Sequence, residues 1–296
     1  MIISATRRAD IPAHYPDWFM NRVRAGYCLV PNPFNARQVA RVPLTPESVS
    51  AVVFWTRDPR PLIPSLKELD GLGYNYYFQF TLVEYPPALH PHPAPLASRV
   101  TAFLRLADLI GPEKVLWRYD PIVLCTDADA DFHRRSFTAL ARALSGATVR
   151  VTVSLMEPYR KTRRRLRDSG VDLLAPTGRD LADMFRHMAE AAGAVGMVPV
   201  SCSDESGLAD LGFAPGACLD QGLLNRLFSL DLPPAKDPAQ RPACRCLPSR
   251  DIGMYDACAA GCVYCYATRD FALAKANRRG HDPGSPCLIG WPREPT

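Results

Sequence analysis

The sequence predicts an α/β protein whose mostly parallel strands form a full or partial (β/α) barrel. Three observations predict it. Short β-type runs alternate with helix-like stretches, which implies βαβ units. Each run leads into polar or charged residues, as strands do at the working face of a barrel. The length, 296 residues, suits a barrel of roughly 250 residues with an appendage.

The runs are short and rich in β-branched and aromatic residues. Ile2-Ile3-Ser4 leads to Thr6, Arg7, Arg8 and Asp10. Val52-Val53-Phe54-Trp55 leads to Thr56, Arg57 and Asp58, and Tyr76 to Phe80 leads to Thr81 and Glu84. Val115-Leu116-Trp117-Arg118 leads to Asp120 and Pro121. Val149 to Val153 leads to Ser154, Glu157 and Tyr159, and Val198 to Ser201 leads to Cys202, Asp204 and Glu205. Between the runs, Leu96 to Leu109 has helical apolar spacing and stops at Gly111-Pro112. Phe132 to Leu144 and Arg179 to Ala192 read as amphipathic helices that end near Gly146 and Gly193.

Proline is frequent, with 29 residues. Tyr85 to Pro95 reads as a stiff, extended loop suited to covering a cleft, with His90 and His92 on its surface. Pro233 to Pro242 reads as a linker. The expected division is a barrel-like domain over 1–240 and a cysteine-rich segment over 241–296 packing on the barrel mouth. The tail beyond Gly280 is turn-rich and expected to be loosely held.

Composition is that of a globular chain, 47% hydrophobic and 22% charged. The net charge of +5 suits an anionic substrate without requiring one. No apolar run reaches the roughly 20 residues that would span a membrane, and the N-terminus carries no signal-type apolar core. The expected location is the cytoplasm, where thiols stay reduced and clustered cysteines point to metal or redox chemistry. The basic run Tyr159 to Arg167 fits a solvated helix or, for a nucleic-acid partner, a contact to phosphates.

Of ten cysteines, Cys28 and Cys125 stand alone and read as buried thiols; the others fall in the last third. Cys258, Cys262 and Cys265 have C-x₃-C-x₂-C spacing. They can hold three corners of one [4Fe–4S] cube and leave the fourth iron open, whereas structural sites normally take four protein ligands. Cys202, Cys218, Cys244 and Cys246 could complete a second site, either an iron–sulfur cluster or zinc. Cys244-Arg245-Cys246 by itself is too tight a pair for the usual zinc knuckle. Cys287 is a weak candidate ligand.

With Tyr264 before its last cysteine, the triplet resembles the C-x₃-C-x-aromatic-C motif of radical S-adenosylmethionine enzymes. The resemblance implies a full or partial barrel and a [4Fe–4S] cluster on Cys258, Cys262 and Cys265. It also implies S-adenosylmethionine chelated through its amino and carboxylate groups to the open iron. Reduction, from a donor such as flavodoxin or ferredoxin, would then cleave the sulfonium to a 5′-deoxyadenosyl radical. In that family the motif follows the first barrel strand; here it lies near the C-terminus. A permuted connectivity accommodates this. Residues 247–257 would bring the chain to the mouth, Thr268 to Ala276 would form the next helix, and the N-terminal strand would come next in the barrel.

The family's G-G-E cofactor motif is absent. Arg118 and Asp120 are the first candidates for cofactor carboxylate and ribose, with Thr56, Ser154 and Glu157 after them. Tyr264, Tyr266, Tyr119 and Cys125 are candidate hydrogen donors. Over nearly its whole length the chain is also similar to the bacterial family of the domain of unknown function numbered 1848. The segments are SATRRADIPA, VPNPFN, VFWTRDP, WRYDPI and CRCLPSRDIGMYDACAAGCVYCYA. Two other readings stay open: a zinc-binding or nucleic-acid-binding module without redox chemistry, and cluster-dependent group transfer without radicals.

Overall fold

The computed structural model describes residues 1–202 and 207–291. Asp204 and Glu205 lie outside the described residues. The chain opens with β1 (Ile2–Ala5), α1 (Ile11–His14) and α2 (Pro16–Ala25). The hairpin β2 (Tyr27–Asn32) and β3 (Asn35–Pro43) follows, then β4 (Ala51–Thr56), α3 (Leu66–Gly71) and β5 (Tyr76–Thr81). Next come α4 (Leu96–Ile110), β6 (Val115–Ile122), α5 (Ala130–Ala143), β7 (Arg150–Leu155), α6 (Arg160–Asp168) and α7 (Gly178–Gly193). The last elements are β8 (Val198–Cys202), β9 (Ala214–Gly216), α8 (Gln221–Phe228), β10 (Arg250–Asp251) and α9 (Phe271–Arg279).

Local chemistry accounts for these boundaries. Asp129, Thr177, Asp220 and Asp270 each accept a backbone N–H from the first turn of α5, α7, α8 and α9. Pro16 starts α2, where its missing N–H costs nothing, and Gly26 ends it in the left-handed region.

An eight-stranded sheet runs in the order β10-β1-β4-β5-β6-β7-β8-β9, and β2 and β3 form a separate antiparallel pair. The pairings of β10 with β1, β1 with β4, β6 with β7, β7 with β8 and β8 with β9 are all parallel. The α/β fold with a large parallel sheet therefore agrees with the sequence reading. β1 and β4 are buried along their whole length, as parallel strands covered on both faces are.

The chain divides into two compact units. One comprises Met1–Phe78, Ser249–Gly261 and Tyr266–Thr296; the other comprises Gln79–Pro248 and Cys262–Cys265. In the first, Phe19 meets Phe54 edge-on at 5.2 Å and Phe78 stacks on Phe54 at 4.8 Å. The tail expected to be loose is instead tied to this core. Trp18 Nε1 donates to the Ser285 carbonyl at 3.0 Å, Arg22 donates to Gly284 O, and Cys287 and Leu288 are buried. Turn-rich composition misled because α2 supplies donors for the tail's carbonyls.

In the second unit, alternation along β6 sends Trp117 and Tyr119 to one face. Trp117 stacks on Phe137 of α5 at 4.9 Å, and Tyr119 meets the same ring at 5.1 Å. Burying aromatic rings of this size contributes about 1.5–3 kcal/mol each. Arg118 and Asp120 take the opposite face, where β6, β7 and β8 set Arg118, Thr152 and Val200 in register. His90, expected at the surface, is buried, with its N–H bonded to Pro86 O.

Candidate functional site

The cysteine motif is divided between the units. Cys258 belongs to the first; Cys262 and Cys265 belong to the second. In the first unit, β10 leads toward it. Parallel pairing sets Ile3 against Arg250 and Ser4 against Asp251. The Asp251 carboxylate accepts bonds from Ser4 Oγ, Thr6 Oγ1, the Arg7 and Gly253 N–H groups and Arg8 Nε. Tyr15 Oη donates to the Ala257 carbonyl, one residue before Cys258. Cys258 is half-buried. After the motif, Tyr266 Oη donates to Arg7 O at 2.8 Å. Asp256 accepts the Arg269 N–H and its Nε, which fixes the start of the segment that becomes α9.

Gly261, inside the C-x₃-C spacer, has φ of 76°, the left-handed conformation that glycine adopts without strain. In the second unit, the Cys265 N–H bonds the Cys262 carbonyl at 3.0 Å and closes a turn. The Val263 N–H donates to Leu89 O at 3.0 Å, and the buried Tyr264 ring lies edge-on to Tyr85 at 5.2 Å. Tyr85 Oη donates to Pro121 O and accepts the Val123 N–H. The proline-rich loop thus grips the cysteine turn. Arg165 of α6 completes the hold, with Nη1 donating to Val263 O at 3.1 Å and to Cys265 O at 2.9 Å. No signal in the basic run singled out Arg165 from its neighbours.

The candidate cofactor contacts fall in different places. Thr56, in the first unit, is buried, donates to Asp10 at 2.8 Å and accepts the Asp58 N–H. Asp10 itself accepts the Ala13 and Arg57 N–H groups. Burial raises its carboxyl above the ordinary range, despite the nearby His14 and these bonds. In the second unit, Arg118 and Asp120 form an ion pair, and Ser154 Oγ donates to Asp120. Burial opposes the Arg118 charge, but Asp120, Cys218 and Cys202 more than offset it and hold the guanidinium charged well above its usual range. Glu157 lies apart from this group, exposed, 3.6 Å from Arg241.

Arg118 Nη1 also donates to Cys218 Sγ at 2.8 Å, and Cys202 Sγ lies 3.4 Å from Cys218 Sγ. Cys218 hydrogen-bonds Cys246, and Cys246 hydrogen-bonds Cys244. The bond to Cys246 brings the Cys244 thiol down to about 7 against burial. The four cysteines named as a second group are therefore neighbours in one unit. Among the described residues, no group of three or more His, Cys, Asp and Glu could hold a metal ion as the side chains stand. No disulfide joins any of the ten cysteines.

Burial pushes Cys28 up to about 12, and Cys287 is fully buried. Tyr119, a candidate hydrogen donor, is buried with its Oη bonded to His133 Nδ1 at 2.9 Å. A cleft of about 780 Å³ lies along α6, lined by Pro158, Arg160, Arg163, Arg164, Arg167 and Asp172, among others. Among the described residues no helix is long and apolar enough to cross a membrane.

The chain matches the model of the family described as a domain of unknown function, DUF1848, over residues 2–267. The chain belongs to that family. No curated protein matches the chain, and no solved structure does.

Proposed function

We propose that this DUF1848 protein is a radical S-adenosylmethionine enzyme built on a permuted full or partial (β/α) barrel. The observation that carries the reading is the position of the motif. Its C-x₃-C-x-aromatic-C segment follows β10, and β10 pairs in parallel with the chain's first strand at one edge of the sheet. In sheet order, the motif follows the first strand, as it does in the radical enzymes, although in sequence it follows the last.

The residue types and spacing of the motif suit the cofactor. Cys258, Cys262 and Cys265 supply three thiols from one loop; Gly261 permits its turn, and Tyr85, Leu89 and Arg165 hold its second half. When bound, the cluster and S-adenosylmethionine would supply reductive cleavage of the sulfonium and a 5′-deoxyadenosyl radical. The chain's own contribution is to fix the loop and keep its fourth corner free of a protein ligand. A buried Tyr264 packed on Tyr85 serves as an anchor for the loop. Of the cofactor candidates Arg118, Asp120, Ser154, Thr56 and Glu157, the first three are bonded among themselves, Thr56 is bonded to Asp10 and Glu157 stands apart beside Arg241.

An anionic substrate is supported by the α6 cleft, whose lining includes Arg160, Arg163, Arg164 and Arg167. Nucleic acid is one such anion. A reducing compartment such as the cytoplasm, with flavodoxin or ferredoxin as electron donor, suits the chemistry.

The test is direct. Protein purified without oxygen is expected to be brown, to contain iron and acid-labile sulfide, and to release 5′-deoxyadenosine with reductant and S-adenosylmethionine. Cys262→Ala is expected to lose that iron while circular dichroism stays unchanged. Full iron content in the variant refutes the assignment. A brown protein that yields no 5′-deoxyadenosine is a non-radical cluster enzyme instead.

A further inference from the structure

A second group of thiols gathers within one unit, apart from the triplet. Cys202 ends β8, where it pairs with Gly216 of β9, and Cys218 lies two residues beyond that glycine. Cys244 and Cys246 arrive from the proline-rich stretch. Alternation across Arg245, which is exposed, turns both thiols inward, and both are buried.

The backbone around each is pinned. Gln79 Nε2 donates to Cys218 O at 2.8 Å, and Arg150 donates to Ala217 O and to Asp220. The Asp237 N–H donates to Cys246 O at 2.9 Å, and the Leu247 N–H donates to Leu219 O at 3.0 Å. Two segments far apart in sequence are thereby held with their sulfurs facing each other. Contacts run from Cys202 to Cys218 at 3.4 Å, then to Cys246 and on to Cys244.

Spacing discriminates between the two kinds of site that four cysteines can form. Four thiolates around one metal at about 2.3 Å lie roughly 3.8 Å from each other, the edge of the tetrahedron. In a [4Fe–4S] cube each thiolate binds a different iron on an outer corner, which spreads the sulfurs much further apart. The one sulfur pair at 3.4 Å lies nearer to that edge than to the wide separation of a cube. We propose that Cys202, Cys218, Cys244 and Cys246 bind one zinc ion as a tetrahedral tetrathiolate that clasps residues 237–247 to the ends of β8 and β9.

The chemistry balances without an oxidant. Four thiols release four protons to solvent, and Zn²⁺ replaces the thiol–thiol hydrogen bonds after the side chains rotate to face it. The resulting site carries two net negative charges, and Arg118, already 2.8 Å from Cys218, lies beside it as a counter-charge shared with Asp120. The Cys-x-Cys pair, too tight for a knuckle alone, suffices here because the other two ligands come from strand ends.

The site is independent of the triplet, and so is its test. Zinc, iron and acid-labile sulfide are measured in the wild type, in the combined Cys258→Ala, Cys262→Ala and Cys265→Ala variant, and in Cys218→Ser and Cys246→Ser. One zinc per chain is expected in the wild type and in the triplet variant, falling to background in the two serine variants. Iron with sulfide retained by the triplet variant in place of zinc overturns the proposal, as does a metal-free Cys202–Cys218 disulfide. If the serine variants do not fold, wild-type protein produced with cobalt decides the matter. The strong visible bands of tetrahedral cobalt thiolate are expected, and their absence overturns the site.

Discussion

Arg165→Ala tests how the cysteine turn is held. The guanidinium donates to two carbonyls of the turn, Val263 O at 3.1 Å and Cys265 O at 2.9 Å. Hydrogen bonds from a charged donor contribute about 1.5–3 kcal/mol each. Arg165 is half-buried, and water can replace part of what is lost, so the pair together contributes about 2–3 kcal/mol. At about 1.4 kcal/mol per tenfold, opening of the turn becomes roughly 30- to 150-fold more frequent. Two amides report that opening, because the Val263 N–H is bonded to Leu89 O and the Cys265 N–H to Cys262 O. Hydrogen exchange read by mass spectrometry over 262–266 is expected to speed up by that factor, while exchange in the buried strands β6 and β7 stays unchanged. Arg165→Lys, with one donor group in place of a fork, is expected to fall between. Unchanged exchange at 262–266 in Arg165→Ala refutes the reasoning, whatever metal the turn carries.

Two further outcomes follow from packing and charge. A Cβ on Gly253 would lie 2.7 Å from Thr6 Cβ, with Thr6 Oγ1 and Cγ2 closer still. Thr6 is buried and bonded to Asp251, so Gly253→Ala is expected to cost about 1–3 kcal/mol, seen as a lower urea midpoint; an unchanged midpoint means that β10 can shift freely. His133 is fully buried between Tyr119 Oη and Val123 O, and burial lowers its pKa from 6.5 to about 4. The folded state therefore holds the ring neutral while the unfolded chain protonates below 6.5. Its contribution to stability is flat above pH 6.5 and falls between 6.5 and about 4, by on the order of 3 kcal/mol. His133→Gln is expected to flatten that pH dependence in urea titrations, and an unaltered slope assigns it elsewhere.

The strands and the long helices were legible because they carry strong periodic signals. Val52 to Trp55 and Val149 to Val153 became β4 and β7, and Leu96 to Leu109 became α4. β10 was illegible, since a two-residue strand, Arg250–Asp251, has no period to read. It exists because β1 offers a parallel edge and Asp251 finds five donors there. The β2–β3 hairpin was missed for a related reason. Its second strand is mostly exposed, so its composition is that of a loop. That Cys202, Cys218, Cys244 and Cys246 lie in one unit was foreshadowed by their clustering in the sequence. The supports of the cysteine segments, Arg165, Tyr85, Leu89 and Gln79, were not, because each contact joins residues remote in sequence.

The polar strand ends carry the remaining argument. They were read as one shared ligand-binding face, yet in each unit they are occupied by bonds to each other. Asp251 and Asp10 collect the donors of the first unit. In the second, Arg118 is shared between Asp120 and Cys218, and Ser154 is bonded to Asp120. A ligand carboxylate at Arg118 would have to displace Asp120 from a guanidinium whose side chain is only 12% exposed. Breaking such a pair leaves a charge without its partner, at a cost of about 3–5 kcal/mol. The bond to Cys218 would make Arg118 a counter-charge of the zinc site proposed above. Of the residues singled out from strand ends, Arg118 therefore connects more naturally to the four cysteines than to a cofactor carboxylate. Cys262 and Cys265 then depend for their placement on the turn that Arg165, Tyr85 and Leu89 hold.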